Sequence, residues 1–171
     1  MIVEKTKLNG VLLIKLEVFE DHRGCYIETY NEDVYKKNGI DVKFVQDDIS
    51  VSKKNVLRGI HGDRKTWKLI SCLKGEFYLV LINNDENSTQ YMQQASFTLS
   101  EQNRIQILVP PRFGVGHLVI SKRAIFHYKQ STYYNPKEQF TIVWNDPKYK
   151  IFWPSKNPIL SKRDELGHFV D

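Results

Sequence analysis

Within the stretch NVLRGIHGDRKTWKLI, His61 and Lys68 lie seven positions apart in a chain that otherwise alternates apolar and polar residues. A neutral imidazole works as a base when an acceptor holds its second nitrogen, fixing the tautomer and stabilising the imidazolium. The carboxylates available for that are Asp47, Asp48, Asp63 and, if the tail folds back, Asp164. Lys68 would bring a cation to the same interior, and Tyr128, Tyr133 and Tyr134 of FHYKQSTYYNP would bring phenols. A histidine base, a lysine cation and a tyrosine acid in one cavity suit proton abstraction next to a carbonyl. Taken singly, each has a plainer explanation: a hydrogen-bonded core histidine, a surface lysine, half-buried strand tyrosines. A second chemistry is also open. His61 and Asp63, two apart, with His117 would make the two-His-one-carboxylate set of a non-haem iron oxygenase. HxD is a common accident, however, and Arg64 and Lys65 follow directly and disfavour a dication.

The elements that must position these groups read as strands. Period-2 runs dominate: VLLIKLEVF, CYIETY, VKFVQDDISVS, TWKLISCL, EFYLVLIN, ASFTL, RIQILVP, GHLVIS, AIFHYKQST and FTIVW. Turn chemistry separates them at Lys74-Gly75, Asn83-Asn84-Asp85, Pro110-Pro111, Ser121-Lys122-Arg123 and Asn135-Pro136. Helical pattern is confined to NEDVYKKNG and to SKRDEL near the end. Many short strands at regular spacing predict an all-β cupin-type jelly roll (a double-stranded β-helix) with a few short helices. The mouth of such a barrel is a natural small-molecule site.

The totals narrow the function classes. The chain has 171 residues, enough for one well-cored domain over 1–171, with no repeat, linker or low-complexity segment. Twenty-five Lys and Arg against twenty Asp and Glu give +5, but the cations fall in scattered pairs. Nucleic acid would need a basic face with interleaved aromatics, which is absent, whereas an anionic small molecule held by a few cations remains open. No apolar run reaches the roughly 18–20 residues of a membrane span, and the start lacks a signal-peptide layout. Cys25 and Cys72 form no framework, which fits a reducing cytoplasm.

Four blocks, FEDHRGCYIETYN, FVQDDISVSKKNVLRGIH, QSTYYNPKEQFTIVWNDP and IFWPSKNPILSKRD, together resemble the dTDP-4-dehydrorhamnose 3,5-epimerase family. They run colinearly over roughly residues 10 to 165. The resemblance implies a metal-free, cofactor-free cupin, usually a homodimer, that inverts sugar carbons flanking a C4 ketone on a nucleotide diphosphate. It also implies site roles. His61 matches the family's base, Asp164 of LSKRD its paired carboxylate, Tyr134 of YYNP the acid on the opposite face, and Lys68 of WKLI the lysine near the ketone. Arg23 and Glu28 of DHRGCYIE, Gln46 of FVQDD and Arg58 of LRGIH match nucleotide-sugar contacts.

The chain departs from the family's pattern at several places. IHGD stands for the usual LHYQ, and the loop to Lys68 looks about two residues shorter. The second histidine of the usual GFAHGF falls on Val115, while His117 takes the aromatic position and is expected to point the other way along its strand. Asp48 stands for an asparagine. Asp48 and His117 are therefore expected as substrate contacts and not as catalysts. These departures leave His61, Asp164, Tyr134 and Lys68 in place. They make the chain look more like a branch acting on GDP-linked 4-keto sugars, including heptoses for capsule or other surface polysaccharide. A non-epimerising ketoisomerase or binding member of the fold is a further alternative.

Overall fold

The computed structural model describes residues 1–168. Strands β1 (Ile2–Lys5) and β2 (Leu12–Lys15) are followed by a short hairpin, β3 (Phe19–Asp21) and β4 (Gly24–Tyr26), and by helix α1 (Glu32–Lys37). Next come β5 (Gln46–Lys53), β6 (Leu57–Gly62), β7 (Lys68–Lys74), β8 (Glu76–Asn83) and β9 (Gln94–Ser100). The barrel is completed by β10 (Ile105–Val109), β11 (Phe113–Val119), β12 (Arg123–Gln130) and β13 (Phe140–Thr141). Helix α2 (Lys162–Leu166) follows. Two antiparallel sheets face each other, in the orders β1-β2-β10-β7-β12-β5 and β13-β6-β11-β8-β9. This is the expected jelly roll.

Three apolar layers hold it together. Ile70, Phe77, Leu79, Leu81, Leu99, Ile107 and Phe126 pack between the sheets. Val80 and Ile82 project from the opposite face of β8, where Leu118, Ile142 and Trp153 cover them. Both faces of β8 are thus buried, which explains why EFYLVLIN reads as a nearly continuous apolar run. On the outside of the other sheet, Ile14, Leu69 and Leu108 lie under Tyr35 and Ile40. Tyr35 belongs to α1, whose N-cap is Asn31, and its phenol hydrogen-bonds Gln106.

The predicted EFYLVLIN, ASFTL and RIQILVP runs and both helical patterns fall where expected. CYIETY and FTIVW are strand only at Gly24–Tyr26 and Phe140–Thr141. β6, the strand carrying His61, is not among the period-2 runs. Its pattern is broken by Gly59, which sits at φ +112° where an added Cβ would meet the Val115 carbonyl and the Gly116 backbone. The Gly59–Ile60 peptide is cis.

Candidate active site

His61 lies near the end of β6, between Val115 of β11 and Thr141 of β13. Its Nε2 is 2.7 Å from Oδ1 of Asp164, without making a well-aligned hydrogen bond. Asp164 sits in the first turn of α2, 3% exposed. Ser161, the N-cap, accepts from the Asp164 backbone N–H at 3.2 Å and donates its hydroxyl to Oδ2 at 2.7 Å. The Gly59 N–H donates to Oδ1 at 3.2 Å. Burial pushes this carboxyl up, but the contacts with His61, Ser161 and Gly59 outweigh it and hold Asp164 below the usual carboxylate value. It is therefore an anion at neutral pH, fixed against one nitrogen of the imidazole.

The pair opens into a cavity of about 300 Å³. Lys68 from the start of β7, Tyr134 from the loop after β12, and Arg58 from β6 line it as well. Burial lowers the Lys68 ammonium pKa, Asp63 opposes that shift, and Arg163 adds to it. Arg58 is steadied by a 3.0 Å hydrogen bond from its Nε to Ser52. Tyr128 shares the cavity, and burial pushes its phenol up to about 12, with Asp48 and Tyr134 adding to the shift. A carboxylate-held imidazole, a lysine and phenols around one small cavity can remove a proton and return it, while stabilising an anion in between.

His117 corrects an expectation. It shares strand parity with Val115, so both residues line the cavity, and it does not point away from it. Its ring stacks on Phe126 at 4.1 Å and an 8° interplanar angle, and burial depresses its pKa to about 3. It is a neutral wall residue whose Nε2 has no hydrogen-bond partner among the described residues.

Four other residues expected at the site stand elsewhere. Gln46 and Asp48 are not among the residues lining the cavity; their polar groups bond Tyr134, Gln130 and each other at its edge. Arg23 is held by Asp21 at 2.5 Å in the β3–β4 hairpin, and Glu28 accepts from Asn31. Neither lines this cavity, and among the described residues the strands of the hairpin pair only with each other. Asp63 is likewise occupied. Its Oδ1 accepts from the backbones of Lys65 and Thr66, and its Oδ2 accepts from Gln139, so it clamps the loop and does not face His61 as a metal ligand would. Among the described residues no group of three or more His, Cys, Asp or Glu side chains is arranged to hold a metal ion.

The sequence reading missed Ser50, Phe126, Gln130, Gln139, Ser161 and Arg163 as wall residues. Parity gave the signal for two of them: Phe126 and Gln130 flank Tyr128 at two-residue steps. Arg163 lacks any such signal beyond preceding Asp164; its guanidinium donates to Thr141 from both Nε and Nη2.

The family model described as dTDP-4-dehydrorhamnose 3,5-epimerase matches residues 5–171. The chain belongs to the dTDP-4-dehydrorhamnose 3,5-epimerase family. The family's enzyme from Salmonella typhimurium is 39% identical over 176 residues, spanning 100% of this chain and 96% of that protein. Among solved structures, the Bacillus anthracis dTDP-4-dehydrorhamnose 3,5-epimerase, with TDP and PPi bound, superposes with a TM-score of 0.94 at 31% identity. That match covers 98% of each chain. The Legionella pneumophila dTDP-6-deoxy-D-glucose-3,5-epimerase, in complex with dTDP-4-keto-L-rhamnose, gives 0.92 at 33% identity, covering 97% of this chain and 90% of that one. The chain is thus an enzyme of the sugar-nucleotide epimerase class, as its four sequence blocks imply. No helix among the described residues is long and apolar enough to cross a membrane.

Proposed function

We propose that the protein inverts C3 and/or C5 beside the C4 ketone of a nucleotide-diphosphate-linked 4-keto sugar. The observation that carries this reading is the 2.7 Å contact of His61 with buried Asp164, in a cavity that also receives Lys68 and Tyr134. A C4 ketone acidifies the hydrogens on C3 and C5. His61 removes one, and Asp164 stabilises the imidazolium that results. Lys68 donates to the oxygen as it becomes an enolate, a contribution of about 10²–10³ in rate. Tyr134 then protonates the same carbon from the opposite face, which inverts it. Electrons move only within the ketone and enolate, and the cycle closes without net oxidation once His61 gives its proton to solvent and Tyr134 takes one back. Arg58 and Arg163 are the cations on the wall suited to the diphosphate.

The relatives' names favour a dTDP-linked 4-keto-6-deoxyhexose as substrate. A GDP-linked 4-keto heptose, made for capsule or another surface polysaccharide, is the second candidate. It is favoured by Val115 at the usual second-histidine position and by Gly62-Asp63 beside the base. The chain works as one domain over 1–171, in the cytoplasm, as a homodimer. Ile49, Val51 and Leu73 leave apolar surface exposed on the outer face of the six-stranded sheet, and a partner would cover it and bring Arg23 and Glu28 to a cavity. The test is proton exchange at C3 and C5 in deuterated water over a panel of dTDP- and GDP-linked 4-keto sugars. Exchange with inversion on a panel member supports the reading, and binding without exchange on all of them refutes it.

A further inference from the structure

The buried part of the cavity wall carries two polar atoms that find nothing in the protein to bond. His117 Nε2 and Ser50 Oγ are both buried and without a hydrogen-bond partner among the described residues. Both residues line the cavity. They adjoin one ring: Ser50 is opposite Phe126 in the β5–β12 ladder, and Phe126 stacks on His117. A buried polar atom left unpaired is costly, and folded proteins keep few of them. Two on the wall of one cavity call for a ligand that completes them.

The chemistry of the pair defines the group it would take. A neutral imidazole offers one N–H and one acceptor nitrogen, and a serine hydroxyl likewise donates and accepts. Burial keeps His117 neutral. Its cross-strand neighbour Arg58 is exposed and charged, so a phosphate has a better partner there. What suits His117 and Ser50 is an uncharged group that both donates and accepts, which on a sugar is a hydroxyl. His117 stands two residues along β11 from Val115, the residue opposite His61, a step of about 7 Å. A sugar carbon held beside His61 therefore has its neighbouring substituents within reach of His117. The ring hydroxyls at C2 and C3 are common to both candidate sugars, so they give no reason for the wall to differ from the family's usual aromatic residue. The C5 branch is where the candidates part. In a 6-deoxyhexose it ends in a methyl, which an aromatic wall suits and a bare imidazole nitrogen does not.

We infer that His117 and Ser50 form a specificity subsite for a hydroxyl on the C5 branch of the sugar, so that the substrate is a 4-keto sugar with a hydroxylated branch and not a 6-deoxyhexose. This rests on the epimerase reading of the cavity. The branch is a hydroxymethyl group in a hexose and a longer hydroxylated chain in a heptose. Both share the chemistry that the subsite reads.

The experiment compares kcat/KM for inversion on 4-keto sugars that share nucleotide and ring and differ only in the C5 branch: methyl, hydroxymethyl or hydroxyethyl. The dTDP and GDP series are run separately, so that nucleotide preference cancels within each. The wild type should prefer a hydroxylated member over the methyl one by about 10–100-fold, because the methyl leaves the wall's polar groups unpaired. Which hydroxylated member wins separates hexose from heptose. His117→Phe and Ser50→Ala should each lower this ratio, the first to within about threefold of one. A purely structural wall would slow all three substrates together, so a ratio unmoved by both substitutions overturns the inference. So does a wild type that handles the methyl substrate as well as the hydroxylated ones or better. Should His117→Phe not fold, Ser50→Ala decides by the same ratio. A wild type that inverts no member of either series overturns the proposed function instead, and this inference with it.

Discussion

Replacing His117 with phenylalanine should flatten the acid side of the protein's stability profile. The buried imidazole stays neutral in the folded state down to about pH 3. In the unfolded chain it titrates at about 6.5, so below that pH the unfolded state binds one more proton than the folded state, and stability falls as pH falls. Between pH 7 and pH 5 the unfolded imidazole passes from about one quarter to nearly fully protonated, which removes about 1.9 kcal/mol. The figure hardly depends on the folded value so long as that lies below about 4. Burial is the leading cause of the depression, Arg58 adds to it, and Asp164 opposes it. Phenylalanine keeps a ring against Phe126 but cannot titrate. The assay is urea unfolding of both proteins at pH 7 and pH 5. At about 2 kcal/mol/M, the wild-type midpoint should drop about 1 M further than the variant's. All other titrating groups are shared, so any offset at pH 7 cancels in the difference. Equal losses in the two proteins would refute the reasoning, because they would mean that His117 is protonated alike in the folded and unfolded states.

Five further outcomes test the chemistry and the assembly. His61→Ala should abolish both exchange and inversion, whereas Tyr134→Phe should still form the enolate but return the proton to the original face, so that exchange outruns inversion. Asp164→Asn should cut kcat by about 10²–10⁴ with little change in KM, because it removes the charge that stabilises protonated His61 and leaves the substrate contacts in place; an unchanged kcat would remove Asp164 from the mechanism. Lys68→Met should lower kcat by about 10²–10³, read in steady-state kinetics at saturating substrate. Light scattering at micromolar concentration should show a dimer, and a monodisperse monomer would count against the shared assembly.

The barrel was legible because alternation survives wherever one sheet face is buried and the other is less so, as along β5. The β6 strand was hidden for the opposite reason. Gly59 and a register shift between Val115 and His117 break its pattern where His61 is presented. At the site, residue types were readable but direction was not. Parity places His117 beside Val115, yet its stacking on Phe126 comes from the other sheet, which no local pattern reports. Gln46 and Asp48 carry the right chemistry for substrate contacts but spend it on Gln130, Tyr134 and each other. A hydrogen-bonding side chain announces that it needs a partner and not which partner it finds.

The loop after His61 shows how a substitution can look like a specificity change and first be a backbone requirement. Gly62 stands where the family usually has an aromatic residue, and an added Cβ there would overlap the Phe113 carbonyl and the Phe140 ring. The close approach of β6 to Phe140 of β13 therefore needs glycine at this point. Asp63 then takes two backbone N–H groups and the Gln139 amide, which fixes both the turn toward Lys68 and one residue of the cavity wall. A short loop of this kind needs an internal acceptor to stay in one shape, and the carboxylate supplies it. Burial pushes the Asp63 carboxyl up, but the contacts with Lys65 and Thr66 and the nearby Lys68 outweigh it and hold the pKa below the usual value. The wall that Gln139 and Lys68 present to the cavity is thus set by Gly62 and Asp63 acting through the backbone. Substrate preference should then respond to changes at Gly62 and Asp63 even though neither side chain lines the cavity.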